Sequence, residues 1–125
     1  MDANEEYVRS KWDCCRYQLE ADGYAIILAD GMFARVGIYR QQSEAQAWSA
    51  AAEFTRQREE EIRCASQDVF SLNEQIDTNV DILHTMPEID APFSVSIGED
   101  LARLGRILAR EQDALADLKR GMKSA

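Results

Sequence analysis

The side chains in this sequence that are best suited to chemistry are arginines. Arg103, Arg106 and Arg110 fall within two turns of one predicted helix, and Arg58 lies on the helix before it. Arg106 and Arg110 share a helix face because they are four residues apart. Planar guanidinium groups match phosphate oxygens, so one interpretation is a site for a small phosphate-bearing ligand. The other is that these arginines lay their aliphatic stems along the helices and pair with nearby acids.

The segment between the two predicted helices contains the second candidate feature. Residues 86–100, MPEIDAPFSVSIGED, hold both prolines and the aromatic residue Phe93. This connection is longer than a tight helix–helix link requires, and proline restricts its backbone. The Phe93 ring can stack on a base, or it can plug the end of a helical hairpin. The candidate ligand-binding residues are therefore Arg58, Phe93, Arg106 and Arg110.

Residue types for catalysis and metal binding are sparse. His84 is the only histidine, and the acids that follow it, Glu88 and Asp90, do not have the spacing of metal ligands. One histidine at a helix end does not make a nucleophile–base arrangement, and no glycine-rich phosphate loop occurs. We therefore expect no enzyme activity, no catalytic residues, no metal and no cofactor.

Charge and cysteine content limit the possible partners and compartments. The net charge of −9 argues against a general binder of nucleic-acid backbones, although an acidic surface can face a basic protein. The run Glu59–Glu61 is either a solvated helix face or part of a strip that imitates a nucleic-acid backbone. No signal-peptide pattern or membrane-length apolar run occurs, and Cys14, Cys15 and Cys64 form no CxxC motif. We expect a cytoplasmic protein with reduced thiols that contacts neither nucleic acid nor membrane.

The N-terminal third of the chain predicts a sheet. Asp-Gly pairs at residues 22–23 and 30–31 are typical of two-residue hairpin turns. They predict a three-stranded antiparallel β-meander over residues 12–40, with apolar side chains on both faces. A helix can cover one face, so the other is expected to meet a second subunit or the remaining helix. The turns set four cross-strand pairs: Leu19–Ile26, Tyr17–Leu28, Ile27–Ala34 and Ala25–Val36.

Two long helices are predicted after the sheet. Ser43 is an N-cap for a helix over residues 44–86, and Ser96 with Glu99 forms a capping box for a helix over residues 97–123. Apolar residues recur at heptad spacing on both, which predicts an antiparallel coiled-coil hairpin with a loop at residues 87–96. The fold class is therefore α+β, in a single domain over residues 1–125. The heptad rows are Trp48, Thr55, Ile62, Val69, Ile76 and Leu83 with Ala51, Arg58, Ala65, Leu72, Asn79 and Met86 on the first helix, and Leu101, Leu108, Leu115 and Met122 with Ile97, Leu104, Glu111 and Leu118 on the second.

The segments YVRSKW (residues 7–12) and SEAQAWSAAAEFTRQREEEIR (residues 43–63), with the meander between them, resemble small phage and prophage proteins. The combination of a short sheet, long helices and a loop resembles the anti-Thoeris sponge family. That resemblance implies an oligomer in the host cytoplasm that captures an ADP-ribose-derived cyclic nucleotide and silences a host immune signal. Base stacking and guanidinium contacts to a diphosphate would be its binding mode.

Three functions follow as hypotheses. The first is a homo-oligomeric anti-defence protein, at least a dimer, that sequesters a nucleotide immune signal at a subunit interface. This signal would be ADP-ribose-derived or a cyclic oligonucleotide. The second is an acidic protein–protein inhibitor of a nucleic-acid-binding host defence complex, similar in action to an anti-CRISPR protein. The third is a structural coiled-coil adaptor.

Overall fold

A computed structural model describes the backbone of residues 2–21, 23–30, 35–85 and 91–123, and the side chains of all of these except residues 85, 91, 92 and 94. Its elements confirm the α+β class and the meander followed by two helices. The chain divides into two compact units, Met1–Glu61 with Leu118–Ala125, and Ile62–Asp117. In chain order the elements are α1 (Ala3–Lys11), β1 (Cys14–Glu20), β2 (Gly23–Ala29), β3 (Arg35–Gln41), α2 (Glu44–Thr85) and α3 (Ala91–Lys119).

Helix α1 has no counterpart in the sequence-based prediction. The carboxylate of Asp2 accepts a hydrogen bond from the Asn4 backbone N–H at 2.8 Å and so caps the helix. Acidic residues in its first turn and basic residues in its last turn complement the helix dipole. Val8 and the following Trp12 are buried, so this short helix forms because one side of it packs into the core.

Tyr7 joins α1 to α2. Its hydroxyl donates to Oε1 of Glu59 at 2.6 Å, and the guanidinium of Arg56 lies 5.1 Å from the centre of its ring. Burial, followed by the hydrogen bond to Glu59, raises the pKa of Tyr7 from 10.0 to about 12. The folded protein therefore holds the phenol proton more tightly than the unfolded chain does.

Replacement of Tyr7 by phenylalanine tests this contact. The contribution of Tyr7 is complete below pH 10 and is lost as the pH rises from 10 to about 12, because only the protonated phenol donates to Glu59. Tyr7→Phe should lower the free energy of unfolding by about 0.5–1 kcal/mol at pH 8. Above pH 10, urea unfolding should show stability falling less steeply in the variant than in the wild type. Parallel pH profiles for the two proteins would contradict this assignment.

The sheet is antiparallel in the order β1-β2-β3, but the predicted cross-strand pairs are wrong. Tyr17 lies opposite Ile26, and Ile27 lies opposite Ile38. Glu20 at the end of β1 pairs with Gly23, and Arg35 at the start of β3 pairs with Ala29. Up to the bulge at Leu28–Ala29, both registers differ from the prediction by an even number of residues, so the paired side chains there keep their predicted faces. Asp22, Gly31, Met32, Phe33 and Ala34 lie outside the described residues.

One face of the sheet packs against α1 and α2. Ile26 and Leu28 of β2 are fully buried there, as is Trp48 near the start of α2. Burial of each large apolar side chain contributes about 1.5–3 kcal/mol. The core cluster of the first unit consists of Val8, Trp12, Ile26, Leu28, Ala47, Trp48, Ala51 and Ala52.

The opposite face carries an apolar strip between arginines. Ala25, Ile27 and Ala29 alternate along β2, and Ile38 of β3 lies beside Ile27. Val36, predicted for this face, packs instead against the core cluster, because a bulge interrupts the register between Leu28 and Ala29. We call this second face the open face, since in the described part of the chain its depression is lined by no helix residue.

The N-terminus of α2 is as predicted. The Ser43 hydroxyl accepts from the backbone N–H of Gln46 at 3.2 Å, and its carbonyl accepts from Ala47 at 3.0 Å. Ser43 is therefore the N-cap of the helix that begins at Glu44.

Helix α3 differs from its prediction at both ends. It begins at Ala91, six residues early, with Pro92 in the first turn, where no intrahelical N–H bond is required. Ser96 is thus inside the helix, and the predicted capping box is wrong. The helix ends at Lys119 because Gly121 adopts a left-handed conformation, with φ of 83°. Residues 86–90, which include Met86 and the first four residues of the predicted loop, lie outside the described residues.

In the second unit, burial follows the predicted heptad rows. Ile97 and Leu104 are buried, and the other row residues that fall within this unit and are described are half-buried. Leu72 of α2 and Ile107 of α3 border a common depression, so the two helices lie side by side there. Met122, predicted on a heptad row, lies beyond the end of α3 and forms an isolated bridge with Trp12.

Candidate anion-binding site on the sheet

The open face contains a depression of about 450 Å³ at the end of the sheet where β1 begins. Ile27 and Ala29 of the central strand form its floor, and Arg16 of β1 and Arg35 of β3 flank it. The depression therefore combines an apolar surface with two cations from different strands. The described residues that line it are Asp13, Cys14, Cys15, Arg16, Ile27, Ala29 and Arg35.

The strand register explains why Arg16 and Arg35 lie beside the same depression. Arg16 lies opposite Ile27 and therefore on the same face. Regular pairing beyond Ile38 would place Val36 opposite Ala29, but the bulge places Arg35 there. A bulge re-aims side chains in this way and is frequent next to functional sites. Here it exchanges an apolar residue for a guanidinium at the edge of the depression.

The two arginines keep their donors available. Within the described ranges, neither Arg16 nor Arg35 forms an ion pair or a side-chain hydrogen bond. Arg40, the third arginine on this face, is paired with Glu20 at 3.1 Å. Among the described residues that line the depression, two carry a guanidinium group and one, Asp13, carries a carboxylate, in a protein whose net charge is −9. This local excess of positive charge suits a small anion.

The chemistry of the depression favours binding. Guanidinium groups donate bidentate hydrogen bonds to phosphate or carboxylate oxygens, and the aliphatic floor can contact a flat ring. Cys14 is the one nucleophilic residue that lies on the same face, and no histidine lines the depression. A search of the described residues found no group of three His, Cys, Asp or Glu side chains placed to hold a metal ion.

Arg58, the first of the sequence-predicted site residues, is engaged within the first unit. Its Nη1 donates to the carbonyl oxygen of Leu118 at 3.1 Å, and its Nε lies 3.9 Å from a carboxylate oxygen of Glu61. Its guanidinium carbon lies 4.9 Å from the centre of the Phe54 ring. These contacts favour a structural role, in which Arg58 bonds a backbone carbonyl near the end of α3.

The other three predicted residues belong to the second unit. Phe93 lies in the first turn of α3 with 46% of its surface exposed, and Arg106 and Arg110 are exposed further along the same helix. Phe93 precedes Arg106 by 13 residues, which is about 20 Å along a helix axis. Phe93 and these arginines therefore do not form one site within a single copy of α3. A site that they complete between subunits stays a prediction.

Arg16 and Arg35 were missed by the sequence-based reasoning. For Arg16 the signal is the alternation of residues along β1, which places this arginine on the same face as Ile27 once the register is known. The bulge that brings Arg35 there leaves no mark in the composition of the strand.

Comparisons with known proteins give no further guidance to function. No protein-family model matches the chain, and searches of curated proteins and of solved structures returned no match. Among the helices that the structure describes, none combines the length and apolarity needed to cross a membrane.

Proposed function

We propose that the protein is a non-enzymatic binding protein that captures a small anionic ligand of the nucleotide class on the open face of its sheet. The observation that carries this proposal is the pair Arg16 and Arg35, which form no ion pair with any described carboxylate and stand on either side of an apolar floor. An unpaired guanidinium next to apolar surface is suited to binding because a bound anion satisfies its donors and neutralises its charge.

The size and charge of the site favour a nucleotide over a polyanion. A depression of about 450 Å³ lies within the range of small-molecule sites, roughly 300–1,000 Å³. The guanidiniums would bind the phosphates, and Ile27 with Ala29 would support the base or ribose. A nucleic-acid strand would bring many charges close to an acidic protein, whereas a small anion needs only the local field of the site.

In this proposal the protein binds its ligand without converting it, and so sequesters it. The phage-type resemblance of the sequence makes a nucleotide immune signal, ADP-ribose-derived or a cyclic oligonucleotide, the first ligand class to test. In this proposal α2 and α3 pair as an antiparallel coiled-coil hairpin and the protein acts as an oligomer. Buried and half-buried residues recur at heptad spacing along both helices, and this pattern supports the hairpin.

Calorimetry with cyclic ADP-ribose isomers and cyclic oligonucleotides tests the proposal. The wild type should bind at least one of them, and Arg35→Ala should weaken that binding about 10- to 100-fold, because a charge-assisted hydrogen bond is lost. Arg106→Ala is the matched control: it removes the same charge from an exposed arginine of α3 that pairs with no described residue, and it should leave the affinity unchanged. A loss caused by Arg106→Ala and not by Arg35→Ala would move the site to the helices. If the wild type binds none of these ligands at a concentration of about 100 μM, the proposal is overturned.

The native cysteines provide a second readout of the same binding. Cys14 lines the depression, Cys64 is exposed on α2, and burial raises the pKa of Cys15 to about 11. Cys15 therefore stays protonated and reacts slowly with iodoacetamide at neutral pH. A bound ligand should slow the alkylation of Cys14 and leave that of Cys64 unchanged, as measured by peptide mass spectrometry. Equal rates at Cys14 with and without ligand would place the ligand elsewhere.

The second unit favours an alternative function. Residues 62–117 contain eleven acidic and four basic residues, so this part of the chain presents a strongly negative surface. Such a surface fits the inhibitor hypothesis, in which the protein blocks a basic, nucleic-acid-binding host defence complex. A pull-down from host lysate would then weaken strongly as salt is raised, because the Debye length falls from about 10 Å at 0.1 M to about 3 Å at 1 M. This association should not respond to Arg35→Ala, and a structural adaptor would show neither behaviour.

A further inference from the structure

Strand β1 is an edge strand with unusual exposure. Its middle residues, 16–19, are exposed, and Leu19 and Tyr17 expose 68% and 37% of their surface. Leu19 is the most exposed of the large apolar residues that the structure describes. Among the described rings, Tyr17 stacks on that of Tyr24 in the neighbouring strand, at 5.9 Å between ring centres. An exposed apolar edge is a surface on which another strand can pair.

The outer backbone groups of β1 are also available. The carbonyl of Cys15 accepts from Nη1 of Arg9 at 3.5 Å, outside the sheet, so the odd-numbered residues of β1 direct their backbone groups away from β2. By this alternation the N–H and C=O groups of Tyr17 and Leu19 point outward. Over the described ranges, no other residue forms a hydrogen bond with them on that side.

The sequence of β1 is complementary to itself. The stretch RYQLE, residues 16–20, has Gln18 at its centre, an apolar residue on each side of it, and opposite charges at its ends. Antiparallel pairing of two copies about Gln18 places Arg16 opposite Glu20 of the second copy, which Arg16 would share with Arg40 of that copy, and places Tyr17 opposite its Leu19. Cross-strand pairs of opposite charge and of apolar residues each stabilise a sheet.

We propose that two copies of this chain pair through β1, antiparallel and centred on Gln18, to form one six-stranded sheet. Tyr17 and Leu19 of the two copies then form the hydrogen-bonded pairs, as the outward direction of their backbone groups requires. The charged pairs lie on the open face and the apolar pairs on the helix-covered face. A shift by two residues would place Arg16 opposite Gln18 and lose both charged pairs. A shift by one residue would place residues whose backbone N–H and C=O groups point outward opposite residues whose groups point inward.

Stacking of the open faces on each other is a poorer arrangement. It would bring Arg16 and Arg35 of one copy against the same arginines of the other, and like charges that are buried together are destabilising. Edge pairing keeps the open face accessible in both copies.

The dimer does not depend on the proposed ligand. In the proposed dimer, Arg16 lies between Glu20 of the second copy and the depression. A guanidinium has five N–H donors, which it can divide between a carboxylate and a bound anion. The second copy thus adds a residue beside each depression. Solution mass reports the dimer and calorimetry reports the ligand, so failure of one proposal is distinguishable from failure of the other.

Solution mass and a cysteine cross-link test the pairing. Light scattering should show a mass of twice 14.2 kDa for the wild type at high micromolar concentration. Leu19→Glu should raise the dimer dissociation constant about ten-fold or more, because it removes two apolar pairs and introduces two charges. Leu19 is mostly exposed, so circular dichroism of this variant should be unchanged.

In a Cys64→Ser background, Gln18→Cys should form an intermolecular disulfide on mild oxidation, because the Cα atoms of a central non-hydrogen-bonded pair are about 4.5 Å apart. Gln41→Cys, at an exposed position of the other edge strand, is the matched control and should cross-link no faster than the background protein. A monomeric wild type, a dimer that is indifferent to Leu19→Glu, or equal cross-linking at positions 18 and 41 would overturn the proposal.

Discussion

Replacement of Trp12 by alanine should lower the free energy of unfolding by about 3–5 kcal/mol, most of the stability of a small domain. Trp12 is 1% exposed and follows α1 directly. Its ring stacks on Phe54 at 6.0 Å between centres, and its Nε1 donates to Oγ1 of Thr55 at 2.9 Å. Its backbone forms a bridge with Met122. Trp12 thus contacts α2 through its side chain and the segment after α3 through its backbone, and alanine would leave a cavity in the core beside Phe54 and Thr55.

Urea unfolding monitored by circular dichroism and by the fluorescence of Trp48 measures this effect. Trp12→Phe should cost less than alanine, since it keeps a ring beside Phe54 and loses the indole donor and only part of the buried volume. Thr55 remains satisfied in that variant because its hydroxyl also donates to the Ala51 carbonyl at 2.7 Å. Phe70→Ala is the control: Phe70 is 64% exposed on α2, and its loss should change stability by less than about 0.5 kcal/mol. A Trp12→Ala protein as stable as Phe70→Ala would contradict the central place of Trp12.

Local patterns explain which elements the sequence predicted well. The N-cap at Ser43 and the burial rows of α2 and α3 depend on neighbours three to seven residues away, and the structure shows both. Helix α1 was missed because a helix of nine residues has little stability of its own and forms through the burial of Val8 in the core. The start of α3 was misplaced because Ser96 and Glu99 match a capping box, while Pro92 is equally suited to a first turn.

The candidate site was less predictable than the fold because it depends on register. Arg35 reaches the depression through a bulge. The sequence of the strand predicts neither this bulge nor the packing of Val36 against the core on the other face. Arg58 was a candidate for ligand binding because spacing along a helix does not show that the Leu118 carbonyl lies within hydrogen-bonding distance of its guanidinium. Sequence patterns indicated that arginines could matter, and tertiary pairing decides which of them remain without partners.

Replacement of Gly23 by alanine should destabilise the protein by about 1–3 kcal/mol, the cost of forcing extra atoms into a packed position. A Cβ at Gly23 would stand 2.5 Å from the backbone oxygen of Gln41. That oxygen belongs to the last residue of β3 and cannot rotate away as a side chain would, so β2 and β3 would have to separate at this end. The sequence suggested that this glycine supplies a positive φ in a turn. Among the described glycines, however, only Gly121 has a positive φ, and Gly23 is the first residue of β2.

Gly105→Ala is the matched control for Gly23→Ala. A Cβ at Gly105, in the interior of α3, would meet nothing within 4 Å, so alanine should stabilise the protein by about 0.5–1 kcal/mol through its higher helix propensity. The same chemical change should therefore have opposite signs at the two positions, as measured by the urea midpoint of each variant. A stabilised Gly23→Ala protein would show that β2 and β3 do not approach closely there. The register at the Tyr24–Gln41 end of the β2–β3 ladder would then lose its support, whereas the Ala29–Arg35 pair lies at the opposite end, beyond the bulge.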